Sequence, residues 1–288
     1  MSNELFGRQI KIQIITKTGK VFEFSDLRLT FTINKALENN AVCSIYNLKS
    51  ETRNILTDNG EKFRIFASYI SENIEPILIF EGDIFYINHN YGDTDIITSI
   101  ESKDGMKFIN DSILSVSYSN KITFKQLLDD ITKQLKVPLS IKTSAINFLD
   151  KIYNKGFSAT GRSAKILDTI CNDNNLQWSI QNGKMKILNK SQNDGKKIYH
   201  LNKNSGLIGI PEKIKLQKKD DGEKVKDKII FGWKVKSLLI PNAEFGNIIE
   251  ISSSETGNNK QFKILEVQHT GDNFDNDFIT ELTLEKII

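Results

Sequence analysis

Proline, cysteine and histidine are all scarce in this chain of 288 residues, which holds four, two and three of them respectively. So little proline excludes a collagenous or polyproline architecture. The two cysteines, Cys43 and Cys171, stand far apart in unlike contexts, so neither a metal knuckle nor a disulfide framework is expected. They read as two buried, reduced thiols. The histidines, His89, His200 and His269, have no HxxxH or HExxH spacing, and no zinc site is expected. No apolar run approaches the roughly 20 residues that span a bilayer. The opening segment MSNELFGRQIKIQII lacks a basic region followed by an apolar core, so no signal peptide is expected. A net charge of +3 gives no whole-molecule field that would favour nucleic acid or membrane.

What is present is ordinary for a folded protein: 39% hydrophobic and 26% charged residues, in a length that suits two or three domains. The first hundred residues read as sheet. LRLTFTIN sends Leu27, Leu29, Phe31 and Ile33 to one face, and IKIQII does the same with Ile10, Ile12 and Ile14. KFRIFASY and the long run from Pro76 to Gly105 offer further strand material, punctuated at Gly82, Gly92 and Gly105. One stretch breaks the pattern. NNAVCSIYNLKSETRNIL begins as a strand and ends as a short helix, with Ser50 expected as N-cap and Asn59–Gly60 as a left-handed stop. This helix is expected to plug an open end of the sheet with Ile55 and Leu56.

The texture changes near residue 107. TFKQLLDDITKQLKVP is an amphipathic helix with Phe124, Leu127, Leu128, Ile131 and Leu135 on one stripe. Thr123 and Gln126 have capping-box spacing, and Pro138 ends it. A second helix buries Ile166, Leu167, Ile170 and Cys171. Two short strands then meet at Asn182–Gly183, a type I′ hairpin signal. From about residue 200 the chain returns to sheet, and QKKDDGEKVK (217–226) reads as a solvated turn. No repeat is evident by identity. The order of β unit, α+β insert and β unit nevertheless implies two similar barrels around a different domain. The expected parts are 1–106, 107–200 and 201–288, in a mainly β fold with an α+β insert.

No catalytic set emerges. His269 beside the acidic loop TGDNFDND (270–277) reads as a loop anchor, and Phe274 stands where a calcium loop needs an oxygen ligand. Asp83, Asp93, Asp95, Glu101 and Asp104 read as strand-end and turn carboxylates rather than a glycosidase pair. GFSATGRSAK (156–165) lacks the Gly-Lys-Ser/Thr of a phosphate-binding loop and reads as a loop and helix cap. The lysines between 213 and 236 are diluted by acids, and Trp178 and Trp233 form no stacking platform. The expectation is a non-enzymatic assembly component with no catalytic, cofactor or metal residues.

Several phrases in order resemble the baseplate hub proteins of contractile-tailed bacteriophages, in particular the Mu-like hub group. They are NNAVCSIYNLKSETRNIL, FASYISENIEPILIFEGDIFYINHNYGDTDIITSIESKDG, GFSATGRSAKILDTICNDNNLQWSIQNGKMKIL, GLIGIPEKI, VKSLLIPNAEFGNIIEISS and ILEVQHTGDNFDNDFITELTL. Ser68 stands where that family usually has glycine, and Ile210 and Ile240 where Ser and Asn are common. The resemblance implies two tail-tube-like β-barrels flanking the small α+β domain. It also implies a homotrimer whose six barrels form a pseudo-sixfold ring. Its implied partners are the hexameric tail tube, the trimeric central spike and other baseplate proteins, with DNA passing through the lumen without specific binding. The implied location is the tail baseplate of a virion, assembled in the host cytoplasm. In such a barrel Asn47, Leu48 and Ser50 make the strand-to-helix corner, with Leu48 tucked under the barrel and Asn47 bonding the turn backbone. Three other functions stay open: the same part in a bacteriocin or injection machine, a tail-tip cell-wall or glycan hydrolase, and a β-rich receptor- or glycan-binding module.

Overall fold

The computed structural model describes residues 7–70, 75–106, 108, 112–141, 143–190, 197–216, 230–275 and 277–287. The solvated turn expected at 217–226 lies outside the described residues. The first unit contains β1 (Arg8–Thr16), β2 (Val21–Phe24), β3 (Leu29–Lys35), β4 (Asn40–Tyr46), α1 (Ser50–Asn59), β5 (Gly60–Tyr69), β6 (Ile77–Tyr91) and β7 (Ile96–Lys103). Period-two alternation builds these strands. Leu29, Phe31 and Ile33 of β3 point into the core while Thr30, Thr32 and Asn34 point away. Ile10, Ile12 and Ile14 of β1 join Phe63, Ile65 and Ala67 of β5 in the same core. Each fully buried isoleucine or phenylalanine side chain contributes about 1.5–3 kcal/mol.

The middle unit contains β8 (Ile113–Tyr118), β9 (Ile122–Thr123), α2 (Phe124–Leu135), β10 (Leu139–Ile141), β11 (Ile152–Tyr153), β12 (Phe157–Arg162), α3 (Ser163–Asn172), β13 (Leu176–Gln181) and β14 (Lys184–Asn189). The capping box on α2 is formed, because Thr123 and Gln126 each bond the other's backbone N–H. The apolar stripes of α2 and α3 share a core with β13 and β14. The hairpin between these strands turns at Asn182 and Gly183, whose φ values are +53° and +70°. Both positive values are what a type I′ turn demands.

The third unit contains β15 (Lys197–Leu201), β16 (Leu207–Leu216), β17 (Ile230–Leu238), β18 (Ile248–Ser253), β19 (Gly257–Asp272) and β20 (Phe278–Lys286). It has a core of its own, with Val235, Ile249, Ile264, Leu282 and Leu284 at its centre. β15 straddles the boundary expected at residue 200 and pairs with β18.

The strand orders of the first and third units are the same. The first runs β3-β4-β7-β6-β5-β1, and the third runs β16-β17-β20-β19-β18-β15. The long strands β6 and β19, of 15 and 16 residues, hold the same place. Each pairs with one neighbour through its first half (β5 or β18) and with the returning strand (β7 or β20) through its second. Each has a bulge against the returning strand where the change occurs, between Ile84 and Tyr86 or between Ile264 and Glu266. One pairing differs: β1 lies antiparallel to β5, whereas β15 lies parallel to β18. The two units fuse into one sheet through antiparallel β19 and β3. Among the described residues the pairing stays open, running from β16 at one end to β2 at the other.

Candidate functional site

The corner between β4 and α1 is tightly specified. Asn47 has φ of +58°, a left-handed conformation that asparagine tolerates better than most residues. Its backbone N–H donates to the Ile96 carbonyl at 2.8 Å. Its side chain accepts from the Ile96 N–H at 2.9 Å and donates to Asp95 at 2.7 Å. Asn47 thus clamps the start of β7. Leu48 is buried in the first core. The Leu48 carbonyl accepts a bond from the buried guanidinium of Arg53 at 2.5 Å.

Three local expectations for the helix fail, each for a visible reason. Ser50 lies inside α1; Lys49 holds the N-cap position, and no side chain caps it. Gly60 has φ of −59° and leads directly into β5, so it is not a left-handed stop. Glycine is needed there for space, since a Cβ would come within 2.6 Å of the Leu56 carbonyl oxygen. Leu56 is fully buried, but Ile55 is exposed and Arg53 takes the inward place beside Leu56.

The repeated strand order pairs residues across the two units. Counting from the bulges, Ile87 corresponds to Val267 and Ile100 to Leu282. Asn47 corresponds to Leu239, whose N–H donates to the Phe278 carbonyl just as Asn47 donates to Ile96. His89 corresponds to His269. His89 Nδ1 lies 3.0 Å from Thr98 Oγ1, and His269 Nδ1 lies 2.9 Å from Thr280 Oγ1. The repeat leaves a trace in the sequence that identity alone hid: DIITSI (95–100) against DFITEL (277–282), each preceded by a histidine and a Gly–Asp pair. The exception is α1, whose counterpart is the loop from Leu239 to Asn247.

The β19–β3 junction is built from buried polar groups. Lys35 is buried and donates to the Ala243 carbonyl at 3.3 Å; burial pushes its pKa down to about 8. Burial, and then the nearby Lys35, hold His269 well below the ordinary imidazole value. Gly271 receives the ring of Phe31, which a Cβ would meet at 2.4 Å. On the outer face Gln268 donates to Asn34 at 2.9 Å.

The loop after His269 staples the units together. Asp272 accepts from the N–H groups of Phe274 and Asp275 and pairs with Arg28 at 2.9 Å. Asn273 bonds the backbone of both Leu27 and Leu29. Leu239 N–H donates to the Tyr69 hydroxyl at 2.8 Å, and Tyr69 meets Phe278 edge-on.

Asp104 performs a second joining task that the sequence did not signal. Its carboxylate accepts from the N–H groups of Asn182 at 2.5 Å and Gly183 at 3.2 Å, docking the middle unit's hairpin tip against the first unit. Burial pushes its pKa up to about 7 against the lowering effect of those bonds. Lys186 and Glu244, 2.5 Å apart, tie the same hairpin to the third unit.

The remaining candidate groups have local roles, and the segment expected as loop and cap at 156–165 instead forms strand β12 running directly into α3, with Arg162 at the N-cap and no side chain capping it. His200 lies on β15 beside Ser252 and Glu250. Trp178 donates to Asp168, and Trp233 packs against the third core. Burial pushes the thiols of Cys43 and Cys171 upward. Of the lysine cluster, Lys234 pairs with Glu281 and Lys213 lies over Phe231; Lys218, Lys219, Lys224, Lys226 and Lys228 lie outside the described residues. No group of His, Cys, Asp and Glu among the described residues has the arrangement of a metal site. No helix among them is long and apolar enough to cross a membrane.

No protein-family model matches the sequence, and no curated protein does. Solved structures do match the fold. A tail protein from Neisseria meningitidis superposes with a TM-score of 0.64 at 12% identity, covering 98% of this chain and 97% of that one. The 43 kDa tail protein of prophage MuSo2 from Shewanella oneidensis gives 0.60 at 9% identity, covering 96% and 98%. A component of the E. coli type VI secretion system, itself described as similar to the T4 bacteriophage tail proteins gp27 and gp5, gives 0.57 at 10%, covering 97% and 77%. The structural neighbours of this mainly β chain are therefore phage tail proteins and a secretion-system relative of them.

Proposed function

We propose that this chain is the structural, non-enzymatic hub of a contractile-tail baseplate. On this reading residues 1–106 and 201–288 are two tube-like barrels and 107–200 is the inserted α+β domain. Three chains form a ring of six barrel positions. The ring joins a hexameric tube to a trimeric spike and encloses the DNA channel of a virion tail assembled in the host cytoplasm. The observation that carries the reading is the repeated strand order in one chain, which supplies two equivalent sectors per subunit. Head-to-tail contacts between chains close into a ring when their rotation completes a turn, and an internal repeat lets three chains offer six like positions. The corner at Asn47, Leu48 and Ser50 orients α1 on the first barrel. Native mass spectrometry and negative-stain microscopy of the purified chain test this directly: three-membered annuli are expected. Annuli of any other count would overturn the symmetry argument.

A second reading, the same hub in a headless injection machine, is favoured by the likeness to the E. coli secretion component. Particles purified with this chain separate the two by the presence or absence of a capsid. A clearing zone in a peptidoglycan zymogram would overturn the non-enzymatic assignment.

A further inference from the structure

We infer that β16 of one copy adds, antiparallel, to the open second half of β6 in the next copy, so that each contact between chains repeats the β19–β3 contact within a chain. This rests on the ring reading above. The two edges are the exact-order counterparts of the strands already joined: β6 stands where β19 stands, and β16 where β3 stands. Among the described residues β16 ends the sheet, and β5 covers β6 only as far as Asp83. Open edges of this kind pair with other chains unless they are blocked.

The register follows from the internal junction. There Val267 faces Lys35 and Gln268 faces Asn34. Val267 corresponds to Ile87 by the bulges. Cys43 faces Ile100 and Val235 faces Leu282, which aligns β4 with β17 and so makes Asn34 the counterpart of Ile214 and Lys35 that of Lys215. Between copies, Ile87 then faces Lys215, Asn88 faces Ile214, His89 faces Lys213 and Asn90 faces Glu212.

Two further features agree. Lysine recurs at 35 and 215, the place that is buried at the internal junction. Four residues further along the ladder the large and small partners are exchanged: internally Phe31 packs on Gly271, whereas between copies Tyr91 meets the bulge at Gly209–Pro211. Tyr91 and Ile210 are 67% and 68% exposed in the single chain, and the junction covers both.

The double variant N88C/I214C tests the register in the full-length chain. The internal counterparts of these positions, Gln268 and Asn34, bring their side chains within 2.9 Å. Cys43 and Cys171 are buried and do not compete. Mild copper–phenanthroline oxidation should give reducible covalent trimers on a gel, and a mixture of the two single variants should give covalent dimers. In the unmodified chain, acylation of Lys215 should fall severalfold in the trimer fraction relative to the monomer. Trimers by native mass spectrometry that neither cross-link nor protect Lys215 would overturn the strand pairing and leave the ring standing. A chain that stays monomeric up to the highest soluble concentration would overturn both.

Discussion

His89 and His269 are the same residue of a repeated unit. Each stands three positions beyond Tyr86 or Glu266, where the bulge ends, and each places Nδ1 beside a threonine hydroxyl of the returning strand. They differ in cover. β3 lies across the edge beside His269, which is fully buried, while His89 sits on an edge with no strand across it among the described residues and bonds Thr57 of α1 at 2.9 Å. The pair reports a joined and an unjoined copy of one junction.

His269 makes the joined copy acid-sensitive. Burial first, then the Lys35 charge, keep its folded pKa far below the ordinary value. The unfolded imidazole binds a proton near pH 6.5 and the folded one does not. Its contribution is therefore complete above about pH 6.5 and is lost as pH falls below that, by up to about 1.4 kcal/mol per pH unit. Denaturant midpoints across this range should fall with acid in the parent chain and less steeply in His269→Asn. An identical slope in the two would refute the linkage.

Asp104 has the opposite sign. Its folded pKa, about 7, lies above the unfolded carboxylate value of 3.8. The folded state thus binds the extra proton between them, and stability from this group is lost as pH rises from about 4 to 7. Asp104→Asn should remove that downward slope even if it weakens the Asn182 and Gly183 bonds. The readout is the difference in slope between variant and parent, since the His269 effect overlaps in the same window.

The β4–α1 corner should tolerate little. Leu48→Asp places an unpaired charge in the first core, a change of several kcal/mol, and should abolish the folded first unit and with it ring formation. Normal trimers from this variant would refute the corner's role. Asn47→Gly adopts the left-handed backbone freely and loses the side-chain bonds to Asp95 and the Ile96 N–H, whereas Asn47→Ala loses those bonds and also strains the backbone. Unfolding free energies from denaturant titration should rank parent above glycine above alanine, with the alanine variant lower by about 1–3 kcal/mol.

Gly271→Ala should loosen the β19–β3 junction, because the new methyl meets the Phe31 ring inside normal contact distance. Overpacking of this kind costs about 1–3 kcal/mol. Hydrogen exchange should accelerate along β3 and the second half of β19 and stay unchanged in α2 and α3. Uniform acceleration throughout the chain would argue against a local junction.

Much of the fold was legible residue by residue. Alternation exposed β1, β3 and β5, a 3.6-residue stripe exposed α2 and α3, and Asn182–Gly183 marked its hairpin. These signals are local, since burial of one face and the sign of φ are set within a few residues. Helix α1 was legible as an element but not in its ends. Ser50 and Gly60 have the right chemistry for caps, yet Lys49 holds the N-cap position and crowding at Leu56 dictates the glycine.

By itself, then, the chain's sequence determined the class of the alternating strands and the amphipathic helices, and that a strand gives way to a short helix after Tyr46, but not strand β12, whose segment reads as a loop and cap. Only the tertiary structure decided that β19 leaves β18 to take up β3, that Asp104 would reach a hairpin tip at Asn182, and that two stretches as unlike as 84–100 and 264–282 are one unit used twice. Strand order and edge pairing depend on partners far apart along the chain. Backbone hydrogen bonds carry no side-chain signature, so composition can drift while the ladder they form stays the same.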